Sequence, residues 1–158
     1  VLQACAQLGT RRLVNISSVV ADGSSRPSQV PLKPGDAVSY SPGDLNYCIS
    51  KKIGEVLADA YAQAHGTSTI HLRPGVIAGD GANPGPDADT AGKTDPWFIY
   101  VDPRDVAAAV RCALQTDRAS GTYNIVAGRA DSLFDWHPAR REIGYAPQHN
   151  WPEIEEVR

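Results

Sequence analysis

The sequence contains no methionine, and its three cysteines form no Cys-x-x-Cys pair. Odd in number and widely spaced, Cys5, Cys48 and Cys112 support neither a disulfide framework nor a zinc site, and all three read as packing residues. His65, His71, His137 and His149 also lack ligand spacing, which argues against a metal centre. Any excess of positive charge is missing too: 15 basic side chains face 18 acidic ones for a formal charge of −3. Nothing electrostatic therefore draws the chain to nucleic acid or to an acidic membrane. No apolar run approaches the roughly 18 residues that span a bilayer, and no charged-then-apolar leader opens the chain. These absences leave a soluble, cytoplasmic protein whose partner is a small molecule. The chain also opens at Val1 in what reads as mid-helix, which predicts a piece of a longer fold.

With 42% hydrophobic residues the chain can build one core. Val1 to Leu8 is apolar and alanine-rich, with Gly9 placed as a helix terminator, and Leu13 to Ile16 is a short β-branched run ending in Ser17-Ser18. Residues 21–44 hold Gly23, Pro27, Pro31, Pro34, Gly35, Pro42 and Gly43, which predicts a long irregular connection. From about Asp44 to His65, Ile49, Ile53, Val56, Leu57, Ala60, Tyr61 and Ala64 recur at helical spacing until Gly66. Thr69 to Arg73 reads as a strand broken at Pro74-Gly75, followed by Val76 and Ile77 and then a Gly/Pro/Asp-rich loop over 79–96. Asp102-Pro103-Arg104-Asp105 opens another helix with a side-chain cap, a proline at its first position and an acid in its first turn. Its buried stripe is expected to be Val106, Ala109, Val110, Ala113 and Leu114. A third strand is predicted at Thr122 to Val126, then a short helix over Asp135 to Ile143 and a proline-punctuated tail with Trp151. Strand and helix alternate at βαβ crossover lengths, so the fold class is α/β with a parallel sheet covered by helices. Residues 1–130 read as the main unit and 131–158 as a short closing segment.

The chemistry centres on Tyr47 and Lys51, whose spacing of four on a helix puts a phenol beside an ammonium. A free tyrosine titrates near about 10, and a neighbouring cation favours the phenolate, which suits proton transfer. The spacing alone is weak, since about one chain in seven of this composition would show it by chance. Ser17-Ser18 ends a strand, and in a parallel sheet the carboxyl ends of strands face the ligand crevice. Hydride transfer at a carbon bearing oxygen needs one group to move the proton and another to hold the oxygen; tyrosine suits the first task and serine the second. Taken singly, Ser18 reads as a strand-end hydroxyl bonded to backbone, Lys51 as a solvated helix residue and Arg73 as a structural anchor. Trp97, Phe98 and Tyr100 either line a sugar pocket or pack beneath the loop. The acids between Asp80 and Asp95 lack cation-ligand spacing, and Gly79-Asp80-Gly81 follows the wrong strand for a phosphate turn.

Four ordered blocks carry a resemblance: Ile16-Ser17-Ser18; Tyr47-x-x-Ser50-Lys51-x-x-Gly54-Glu55; Leu72-Arg73-Pro74-Gly75-Val76-Ile77-x-Gly79; and Val101-Asp102-x-x-Asp105-Val106-Ala107. Together they resemble the extended short-chain dehydrogenase/reductases, the NAD-dependent epimerase/dehydratases. The stretch Trp136 to Gln148 is similar to the C-terminal end of uronate dehydrogenase-like members, as is Trp97 before Asp102. The resemblance implies the later strands and helices of a doubly wound Rossmann-type sheet, with Ser18, Tyr47 and Lys51 as catalytic triad. It implies NAD or NADP as cofactor, contacted by Ser17, Tyr47, Lys51, Pro74, Gly75 and Val76. The glycine-rich pyrophosphate turn of that family, and the residue that selects NAD over NADP, do not occur in this sequence. A sugar or sugar-acid substrate and a homodimer through the helix over 44–65 are implied in the same way. The alternative is a truncated or non-catalytic member that binds dinucleotide as a sensor.

Overall fold

The computed structural model describes residues 1–25, 29–36, 38–78, 99–129 and 132–150. Its elements run α1 (Leu2–Gln7), β1 (Arg12–Ile16), a 3-10 turn (Val19–Asp22), α2 (Leu45–His65), β2 (Ser68–Pro74) and β3 (Val76–Ile77). They continue with β4 (Tyr100–Val101), α3 (Pro103–Gln115), β5 (Ser120–Ile125) and α4 (His137–Ile143). The expectations for the loop over 79–96, Gly79-Asp80-Gly81, Asp80 to Asp95, Trp97, Phe98 and Trp151 lie outside the described residues.

Strands β1, β2 and β5 form a parallel sheet in the order β1-β2-β5, with Val14 opposite Ile70 and Leu72 opposite Tyr123. One face carries Ile70, Leu72, Tyr123 and Ile125, which pack with Ala109 and Ala113 of α3 and Ala139 and Ile143 of α4 into the main core. Helix α3 starts as its sequence dictates: Asp102 accepts a hydrogen bond from the Arg104 amide at 2.8 Å, and proline occupies the first turn. Its buried stripe is Asp105, Ala109 and Ala113, whereas Leu114, expected inside, is exposed. Asp105 enters the core because it is needed there as an acceptor. Its carboxylate takes the Gln148 amide at 3.1 Å, the His149 amide at 2.9 Å and His149 Nδ1 at 2.8 Å, tying the segment after α4 back to α3.

Helix α2 ends at Gly66 in the left-handed region, as expected, but its orientation departs from the apolar pattern. Ile49, Ile53, Val56, Leu57 and Tyr61 face outward, and the buried positions are Cys48, Glu55 and Ala58. The reason lies in the strand beneath it, whose α2-facing residues His71 and Arg73 are polar and are met by acids. A second, two-stranded parallel sheet, β3 with β4, was not legible in so short a run as Tyr100-Val101. Tyr100 is fully buried and packs with Ala78 and Ala127.

Candidate active site

Strand β1 runs out into Ser17, whose amide still donates to the Leu72 carbonyl at 2.7 Å. The chain then turns at Ser18, which caps the 3-10 turn: its Oγ accepts from the Val20 amide at 3.4 Å. The side chain of Ser18 is thus a strand-end hydroxyl bonded to backbone, with its proton left to donate. Ser17 Oγ is enclosed without a hydrogen bond of good geometry, yet lies close enough to Glu55 to favour that carboxylate's charged form.

Tyr47 sits in the first turn of α2 with 52% of its surface exposed, so its phenol is open to a ligand. Lys51, one turn on, places its Nζ 5.6 Å from the centroid of the Tyr47 ring. The same ammonium donates to the Ile16 carbonyl at 3.2 Å, which fastens α2 to the carboxyl end of β1 immediately before Ser17-Ser18. Lys51 thereby brings the start of α2, with Tyr47, to the end of the parallel sheet from which the serine pair leaves β1. At that end too, Pro74 closes β2, the Gly75 amide donates to Ile125 at 3.0 Å and the Val76 amide to Ile99 at 2.7 Å. Both amides are engaged within the chain, so a ligand there would meet carbonyl oxygens and side-chain surface.

Beneath this group lies a buried ionic network in which only Arg73 was anticipated, as an anchor. Arg73, 3% exposed, donates through Nε and Nη2 to the two Glu55 oxygens at 2.7 and 2.6 Å, and through Nη1 to Asp22. Lys52 Nζ reaches the other Asp22 oxygen at 2.6 Å. Burial alone would raise the Asp22 carboxyl, but hydrogen bonds from Arg73 and Lys52 outweigh it and hold the group at about 2. Glu55 is likewise lowered, with Arg73 overcoming the cost of burial. Glu55 falls four residues after Lys51, so its helix position could have suggested a role; Asp22 carries no local signal. Among the described residues, no three His, Cys, Asp or Glu side chains converge as a metal site would require.

Residues 1–126 match the NAD dependent epimerase/dehydratase family. The chain belongs to that family. No curated protein sequence matches it. Among solved structures it is similar to a mutated uronate dehydrogenase, at 19% identity and a TM-score of 0.71 over 94% of this chain and 49% of that one. It is also similar to the UDP-glucose 4-epimerase of Thermotoga maritima solved with UDP-glucose, at 19% identity and a TM-score of 0.70 over 93% and 62%. A third is the Bordetella bronchiseptica enzyme WbmG in complex with NAD, at 21% identity and a TM-score of 0.62 over 93% and 57%. At such identities the likeness shows the fold, and the chain spans about half to three fifths of the length of these structures.

Proposed function

We propose that this chain carries the proton-transfer centre of an NAD(P)-dependent oxidoreductase or epimerase/dehydratase that acts on a hydroxyl or carbonyl of a sugar or sugar acid. The observation that carries the reading is the exposed Tyr47 with Lys51 Nζ 5.6 Å from its ring centroid, the same lysine being bonded to the Ile16 carbonyl two residues before Ser18. A phenol, an ammonium and a hydroxyl at the carboxyl end of a parallel sheet fit the nicotinamide-ribose end of a dinucleotide. The residues present supply no pyrophosphate turn, so the fit extends to that end alone. Membership of an NAD-dependent family favours NAD over NADP. When bound, the dinucleotide would accept or return the hydride.

Tyr47 then takes or gives the proton of the reacting oxygen, Lys51 stabilises the phenolate as it forms, and the Ser18 hydroxyl donates to that oxygen to hold it in line. Pro74, Gly75 and Val76, with Ser17, would border the nicotinamide through carbonyl and side-chain surface. Residues 131–158 would close the substrate side, supported by the ties from Gln148 and His149 to Asp105. The apolar stripe on the outer face of α2 supports a homodimer through that helix.

In the full-length protein, Tyr47→Phe should reduce NAD-linked turnover of uronic acids or UDP-sugars by about 100-fold or more while leaving NADH binding, read by fluorescence, nearly unchanged. Wild-type turnover by Tyr47→Phe sinks the proposal. Tight NADH binding by the wild type with no turnover of any such sugar favours the sensor reading instead.

A further inference from the structure

Helices on parallel sheets usually meet them through hydrocarbon, but α2 meets β2 through charge. Alternate residues of β2 point toward α2, and among them His71 and Arg73 find acids one helical turn apart. Arg73 holds Glu55 in a two-bond fork at 2.7 and 2.6 Å, and His71 Nε2 lies 2.9 Å from Asp59 Oδ1. Four helical residues advance about 6.0 Å and two strand residues about 6.6 Å, so the two rungs stay in step as the helix runs antiparallel to the strand. From β1, Asn15 Nδ2 meets His71 Nδ1 at 3.0 Å and steadies the ring.

The network also grips the loop that carries the serines. Asp22 accepts from Arg73 and Lys52, and from the Gly35 amide at 2.8 Å. Two adjacent lysines of α2 therefore hold the segment at both ends, Lys51 on the Ile16 carbonyl and Lys52 on Asp22, with Ser18 between them. Two cations, Arg73 and Lys52, balance two carboxylates, Glu55 and Asp22, so the cluster is complete in charge. Hydrophobic contact is non-directional and tolerates sliding, whereas a buried Arg-carboxylate fork accepts one geometry. A slip of α2 by one turn would carry Tyr47 about 5.4 Å along the sheet.

We propose that Arg73, Glu55 and Asp22 are positioning residues that fix the axial register of α2 and the place of the Ser17-Ser18 segment, and so set Tyr47 and Lys51 against Ser18. The inference rests on the reading of Tyr47 as the proton-transfer group.

The test uses the full-length protein with NAD and a panel of uronic acids and UDP-glucose. The double variant Glu55→Leu/Arg73→Met removes both partners of the fork without stranding a charge, so the fold should survive. Its kcat should fall about 100-fold with KM for the sugar changed less than about threefold. The ring-13C signal of Tyr47, assigned by its loss in Tyr47→Phe, should shift. A folded double variant with wild-type kcat and an unmoved Tyr47 signal overturns the proposal. Should that variant not fold, Asp22→Asn keeps the side chain's shape and loses its ion pairs. About tenfold lower kcat at constant KM supports the proposal, and unchanged kcat overturns it. Turnover that survives in Tyr47→Phe refutes the proton-transfer reading instead, whatever the network variants show.

Discussion

Replacing Gly75 by alanine tests how closely β3 and β4 approach each other at the end where the proposed site lies. Gly75 links β2 to β3, and its φ lies outside the left-handed region, so the requirement for glycine there is one of space. A Cβ would collide with the Ile99 carbonyl, lying 2.8 Å from its carbon, and would come within 3.1 Å of Val126 Cγ1. Neither neighbour is the free end of a flexible side chain. Ile99 leads into β4, and Val126 is fully buried in a cluster with Val19, Leu32, Phe134 and Trp136. The variant must push the two strands apart, at the expense of the 2.7 Å bond from the Val76 amide to Ile99 and the 3.1 Å bond from Ala78 to Val101. Overpacking of this kind costs about 1–3 kcal/mol, and two backbone hydrogen bonds add about 1 kcal/mol each. The expected loss is about 3–5 kcal/mol, a large share of the roughly 5–15 kcal/mol that holds a domain together. Urea unfolding of wild type and Gly75→Ala would show it as a lower midpoint with a similar slope. A loss below about 1 kcal/mol at unchanged slope would refute the close approach of β3 and β4.

Acid should weaken the network in a defined window. Asp22 has its carboxyl lowered from 3.8 to about 2 on folding, because Arg73 and Lys52 outweigh burial, so it contributes about 2 kcal/mol above its unfolded value. That contribution disappears as pH falls through about 2; urea midpoints of wild type and Asp22→Asn should converge between about pH 4 and pH 2, and a constant gap across that range would count against the pairing. At the start of α3, Asp102→Ala removes the acceptor for the Arg104 amide together with the Arg104 side-chain pair at 2.8 Å. The expected cost is about 1–2 kcal/mol, with less for Asp102→Asn, and equal melting temperatures for the two variants would show that the cap is idle.

Helix ends were legible because they depend on neighbours within a turn. Gly66 takes up a left-handed conformation directly after α2, and Asp102 with Pro103 starts α3. The approach of Lys51 to Tyr47 was equally local, since positions four apart on a helix share a face. The burial of α2 was not legible. Apolar spacing at Ile49, Ile53, Val56 and Tyr61 locates a stripe but does not say what meets it, and here the sheet meets the polar side instead. Nor did a two-residue strand at Tyr100-Val101 announce a partner in Val76-Ile77.

By itself the sequence determined the α/β alternation, the family and the pairing of Lys51 with Tyr47, all written in spacings of a few residues. Only the tertiary structure decided how that pair is held. Arg73 finds Glu55 across 18 residues and Asp22 across 51, and which carboxylates it meets follows from the crossing of β2 under α2. Local propensity carries no information about such a crossing, because the cost of burying those charges is met only when partners distant in sequence are brought together.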